Sequence, residues 1–162
     1  MRLKLTIAAI VALAVTTAQG GDPGVPHPAA PTEEAIINIR GSSFTKLLAQ
    51  FGTPADFKPI RRKTPADLYV LFDYGSFGFL VRDKKVRTCF IWSEWKDPIR
   101  GIKIGDSREQ VAKVLGAKPR YTEKDKDGNI TAYGYDLQGI DACFFANFDE
   151  DGKLERVEIS EP

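Results

Sequence analysis

The 162 residues include one histidine, two cysteines and one methionine, and no apolar run is long enough to cross a bilayer. The single imidazole, His27, stands in Gly21-Asp22-Pro23-Gly24-Val25-Pro26-His27-Pro28-Ala29-Ala30-Pro31, where four of eleven residues are proline. Such a stretch reads as an extended spacer. It cannot hold a histidine in one tautomer and position, so Ser-His-Asp and Cys-His catalysis drop out. With so few His and Cys, the common zinc sites lack ligands, and no cofactor is expected. Charge of one sign is scarce as well: 23 Lys plus Arg face 22 Asp plus Glu. Nucleic acid and acidic membrane surfaces are therefore not expected partners.

The N-terminus carries an export signal. Met1-Arg2-Leu3-Lys4 is basic and is followed by an eleven-residue apolar run, Leu5 to Val15, broken only by Thr6. Small residues then offer cleavage after Ala18 or Gly20, so residues 1–20 read as a cleaved secretory signal. Arg2 and Lys4 leave with it, and 21 basic residues then stand against 22 acidic ones. No cysteine lies near the cut to take a lipid. The expected mature chain is periplasmic or secreted, without a membrane anchor, and opens with a Pro-rich spacer over 21–35.

The remainder looks duplicated. Gly41-Ser42-Ser43-Phe44 through Phe51-Gly52 overlies Gly105-Asp106-Ser107-Arg108 through Leu115-Gly116 at a constant offset of 64. An Ile-x-Ile pair precedes each copy (Ile37/Ile39 and Ile102/Ile104), and Pro54 or Pro119 follows. Ser107 with Gln110 forms a capping box ahead of Val111, Val114 and Leu115, while Ser42 or Ser43 starts the first helix and Gly52 ends it. Strand-forming runs follow each helix, at 68–73, 77–82 and 85–92 and again at 130–137, 140–148 and 153–159. The sequence predicts an α+β fold of two tandem repeats, each a short helix followed by a three-stranded antiparallel β-meander. The repeats occupy 36–92 and 101–162, with a linker at 93–100.

The second copy resembles the SmpA/OmlA (BamE-like) outer-membrane lipoproteins. The likeness rests on Gly101-Ile102-Lys103-Ile104-Gly105-Asp106-Ser107, Gln110-Val111, Leu115-Gly116, Pro119 and Phe148-Asp149-Glu150-Asp151-Gly152-Lys153-Leu154. The tandem arrangement in an exported chain is similar to the β-lactamase inhibitory proteins. Both resemblances imply a cofactor-free scaffold that binds another protein, as an envelope accessory or as an enzyme inhibitor.

Several residue sets compete for a functional role. Trp92 and Trp95 flank the repeat junction, and Tyr69, Tyr74, Tyr133 and Tyr135 lie on strands. Together they could form an aromatic face for a protein partner. Cys89 and Cys143 could pair in an oxidising compartment and staple the repeats, or remain two buried thiols. Asn147, Asp149, Asp151 and Glu158 fit a twelve-residue calcium loop, against the simpler reading of a hairpin turning at Asp151-Gly152. Asp73, Asp136 and Asp141 supply carboxylates for a glycosidase-like pair if two of them meet across a cleft. The expected function is an exported, non-enzymatic protein-binding module, with a calcium-stabilised structural domain and a small acid-pair hydrolase as the alternatives.

Overall fold

The computed structural model describes residues 31–61, 68–136 and 142–160. Within these residues eight strands form a single antiparallel sheet: β1 (Asp56–Arg61), β2 (Leu68–Asp73), β3 (Phe77–Arg82), β4 (Lys85–Ile91), β5 (Tyr121–Lys124), β6 (Ile130–Asp136), β7 (Cys143–Phe148) and β8 (Leu154–Ser160). The spatial order is β1-β2-β3-β4-β8-β7-β6-β5. Among the described residues three short helices accompany it: α1 (Glu33–Asn38), α2 (Phe44–Phe51) and α3 (Arg108–Leu115).

This overturns the expected pair of helix-plus-three-strand repeats. The molecule is dominated by one sheet because β4 pairs directly with β8, through Thr88↔Ser160, Cys89↔Ile159, Phe90↔Glu158 and Ile91↔Val157. Two strands and one helix also went unforeseen. β1 contains Pro59, which an edge strand tolerates since its missing N–H faces outward; β5 is exposed at all four positions. Helix α1 begins inside the stretch read as spacer, capped by the Thr32 hydroxyl, which accepts from the Ala35 N–H at 3.2 Å. The segment read as a linker is not a loose tether either, because Trp95 and Ile99 are buried in the core.

The other helices begin where their caps require. Ser43 accepts from the Lys46 N–H at 3.2 Å, and Ser107 and Gln110 cap each other reciprocally at 3.3 and 2.7 Å. At 6 to 8 residues these helices have little stability of their own and depend on the apolar face they bury. That face meets one side of the sheet. Ile36, Ile37 and Ile39 near α1, Leu47 and Phe51 of α2, and Val111 of α3 share a core with Phe77, Phe79, Cys89, Phe144 and Ile159.

Burial inside this core sets a pH limit on stability. The Tyr74 ring stacks on Phe77 at 5.1 Å, its hydroxyl donates to the Gly52 carbonyl at 3.0 Å, and desolvation pushes its ionisation from 10.0 up to about 12. Burial likewise pushes the Cys89 thiol from 9.0 up to about 12, with the positive charge of Arg40 opposing. Both groups keep their protons in the folded chain after the unfolded chain has lost them. The stability that these two groups contribute is thus fully present below pH 9.0 and is lost as pH rises toward 12. The urea midpoint should begin to decline near pH 9.0, and in Cys89→Ala near 10.0. A midpoint that stays level through this range would contradict these burials.

Candidate functional site

Strand alternation gives the sheet a second face, which none of the three described helices covers. Register carries one row of that face through Asp73, Gly78, Phe90, Glu158, Phe145, Gly134 and Tyr121, each directly opposite its neighbour on the next strand. A parallel row through Leu80, Thr88 and Cys143 is closed to solvent, at 2%, 6% and 6% exposure. The accessible strip is therefore the aromatic row together with Trp92 and Arg156 beside it.

Two glycines make room for this strip. A Cβ on Gly78 would stand 2.3 Å from Cη2 of Trp92, so the indole lies directly over the backbone there. A Cβ on Gly134 would stand 2.9 Å from Cε1 of Phe145 and 3.0 Å from Cβ of Tyr121. Covering an interior strand glycine with a cross-strand ring restores the contact that the missing side chain forgoes. Trp92 and Phe90 are nearly parallel (6°) with centroids 6.1 Å apart, and Tyr121 stacks on Phe145 at 6.3 Å. The guanidinium of Arg156 sits 5.9 Å from the Phe90 centroid and donates to Oδ1 of Asn147 at 3.4 Å.

At the Trp92 end the strip opens into a cleft of about 300 Å³. It is lined by Asp73, Gly75, Trp92, Ser93, Glu94, Glu155 and Arg156. Its parts come from the β2–β3 turn, the end of β4 and the start of β8. Glu155 is the extra residue of a bulge in β8, between Arg156, opposite Asn147, and Leu154, opposite Phe148. The bulge brings Glu155 and its neighbour Arg156 together onto the cleft wall. The backbone N–H of Trp92 donates to the Ser76 carbonyl at 2.9 Å and its carbonyl accepts from the backbone N–H of Trp95 at 3.0 Å, which ties the indole-bearing segment to the core.

The residues singled out from the sequence scatter across both faces. Trp92 lies on the open strip. Tyr69 is on the same face but at the far end of β2, where its hydroxyl accepts from Arg82 Nη1 at 3.0 Å. Trp95 is 7% exposed and meets Phe77 edge-on at 6.2 Å, so it is a core side chain. Tyr74, Tyr133 and Tyr135 also face the helices, Tyr133 packing edge-on against Phe148 at 5.2 Å. Strand alternation misled because aromatic residues occupy both phases of these strands; Phe144 and Phe145 are adjacent and point to opposite faces. The strip residues missed were Phe90, Phe145, Tyr121 and Arg156. Their available signal was Gly78 and Gly134, since a lone glycine inside a strand pattern marks a close approach.

The cysteines do not pair. Cys89 shares the helix-side row with Ile159 and Phe144, and its Sγ lies 3.2 Å from the Ile36 carbonyl. Cys143 shares the opposite-side row with Ser160 and Thr88. Both are free thiols with the sheet between them, and the Cβ vectors that a disulfide requires point apart.

The calcium-loop residues form a hairpin. Strands β7 and β8 stand where an EF-hand would place helices, the Asp149 N–H donates to the Lys153 carbonyl at 2.9 Å, and Asp149 Oδ1 accepts from the Lys153 N–H at 2.8 Å. Asn147 donates to the Phe145 carbonyl, while Glu158 lies along β8 between Phe90 and Phe145. Among the described residues no group of three or more His, Cys, Asp and Glu could hold a metal. Asp73 and Asp136 do not pair either. Asp73 on β2 and Asp136 on β6 are five strand positions apart, roughly 24 Å, well beyond a glycosidase spacing. Asp136 instead pairs with Arg120 at 2.7 Å. Asp141, His27, the signal residues 1–20 and spacer residues 21–30 lie outside the described residues.

No known family matches the sequence, and no curated protein is similar to it. Solved structures do share the fold. An extracellular protein containing an SCP domain from Bacillus anthracis superposes with a TM-score of 0.57 at 19% identity, over 89% of this chain and 50% of that one. A DUF4309 family protein from Bacillus subtilis gives 0.54 at 16% identity, covering 83% and 88%. A cysteine-rich secretory protein from Staphylococcus aureus gives 0.50 at 15%, covering 84% and 46%. The chain thus spans about half the length of two of these neighbours. None of the three is a BamE-like lipoprotein or a β-lactamase inhibitory protein.

Proposed function

We propose that this chain is an exported protein-binding module that works through the open face of its sheet, as an inhibitor of, or an accessory to, an extracytoplasmic protein. The observation that carries the reading is the strip of Trp92, Phe90, Phe145 and Tyr121, aromatic side chains left on a face that no described helix covers. Rings of this kind give large contact area at low conformational cost and recur as interface anchors. Export is supported by the basic and apolar start of the sequence and by neighbours described as extracellular or secretory. Among the described residues no helix is long and apolar enough to cross a membrane.

The test is photo-crosslinking from each face. A photoreactive phenylalanine at position 121 should capture a discrete protein in the producing cell, and the same residue at position 114 should not. Capture from 114 alone, or from neither position, overturns the reading. Trp95, buried as it is, makes a poor probe of binding, since its removal would mainly damage the core.

A further inference from the structure

We propose that the cleft beside Trp92 receives a lysine or arginine side chain from an extended segment of the partner polypeptide. This rests on the open-face reading above and names the chemistry recognised at one end of it. The cleft walls hold three carboxylates, of Asp73, Glu94 and Glu155, against one guanidinium, that of Arg156. The formal excess is negative, which disfavours phosphate or carboxylate groups and attracts a cation. The one positive group is already engaged by the Phe90 ring and by Asn147. Asp73 gives one oxygen to the Gly75 N–H at 2.8 Å and keeps the other as an acceptor.

The remaining wall is an indole, the aromatic surface that holds cations best. Carboxylates beside an indole satisfy both parts of a basic side chain, the charged head through ion pairing and the methylenes through ring contact. The site is also pre-formed. The backbone N–H of Trp92 is fixed by the Ser76 carbonyl, its ring lies over Gly78, and the β8 bulge sets Glu155 and Arg156 in place. Binding then orders little of the module itself.

The strip supplies the rest of the specificity. From β4 to β7 is two strand spacings, about 10 Å, and a segment in the polyproline II conformation advances about 3.1 Å per residue with about three residues per turn, so that side chains three apart share one side. A partner segment running across the strands with its basic residue in the cleft brings the side chain about three positions along onto Phe145. The recognised sequence is therefore a basic residue followed at that spacing by an aliphatic or aromatic one.

Nuclear magnetic resonance titration of the mature chain tests this. The probes are matched extended peptides that carry lysine, norleucine or glutamate at one position and valine three residues on. The indole N–H signals of Trp92 and Trp95 are the only two the chain has, and Trp95 serves as the internal control. The lysine peptide should shift the Trp92 indole and the Glu94 and Glu155 amides saturably. Norleucine should bind at least about fivefold more weakly, and glutamate more weakly still. Added salt should weaken the lysine peptide selectively, and Asp73→Asn combined with Glu155→Gln should erase its advantage. Equal affinity for lysine and norleucine would overturn the cation preference while leaving the open-face reading intact. Peptides that leave the cleft signals unmoved, while crosslinking from position 121 still captures a partner, would overturn this inference alone. Failure of both experiments would overturn both.

Discussion

Phe79→Ala is expected to lower the unfolding free energy by about 3–5 kcal/mol, the usual cost of emptying a fully buried phenylalanine site. Phe79 is 0% exposed and lies against Phe51, Phe77 and Tyr74, with ring centroids 5.0, 5.7 and 5.8 Å away. These neighbours come from α2, from β3 itself and from the β2–β3 turn, so the cavity cannot close by the shift of one side chain. Domains of this size are stable by only about 5–15 kcal/mol, and the loss would leave a small margin. Urea unfolding reads the effect directly. Phe57→Ala is the control, since Phe57 is 40% exposed on the edge strand and should change stability by no more than about 0.5 kcal/mol. A loss below about 1 kcal/mol at Phe79 would mean that the helices do not close over this face.

Gly78→Ala should be destabilising, against the usual direction. Where the backbone permits alanine, replacing glycine commonly stabilises by about 0.4–1 kcal/mol through the unfolded chain. At Gly78 the new methyl would meet Cη2 of Trp92 at 2.3 Å and the Phe72 carbonyl oxygen at 2.8 Å. The indole can swing away, but the carbonyl belongs to the backbone of β2 and yields only by straining that strand. Overpacking of this kind costs about 1–3 kcal/mol. Trp92 must also leave its place beside Phe90, so its emission should move to longer wavelength while that of buried Trp95 does not. One substitution thereby tests the strip's construction and its recognition, because a displaced indole can no longer wall the cleft. Full stability with an unmoved Trp92 indole signal would refute the contact.

Local chemistry was legible in the sequence, and the long-range pairing was not. Ser43 and Ser107 cap the helices as their side chains suggest, and Gly52 and Gly116 end them. The β-branched and aromatic runs became β2, β3, β4, β6, β7 and β8 to within a few residues. The polar edge strands were hidden, because an edge makes its hydrogen bonds to one side only and demands little of its side chains. The Ile36, Ile37 and Ile39 cluster satisfies a strand pattern as well as a helical one, although Thr32 with Glu33 and Glu34 already marked a helix start. The pairing of β4 with β8, which makes one sheet of the chain, joins residue 88 to residue 160, and no local pattern announces it. The same gap concealed the site. The cleft wall comes from Asp73, Trp92 and Glu155, which only the sheet order brings together.

Crosslinking from the two faces decides whether the open side of the sheet binds a protein. Tyr121 and Val114 are comparably exposed, at 42% and 49%, so reagent access is similar and only the identity of the face differs. Position 121 already carries an aromatic ring stacked on Phe145, and a photoreactive phenylalanine there keeps the strip's chemistry. Position 121 should yield a discrete crosslinked protein, lost when Trp92→Ala and Phe145→Ala are added, and position 114 none. A product from position 114 alone, or one from position 121 that survives both substitutions, would contradict binding through the open side.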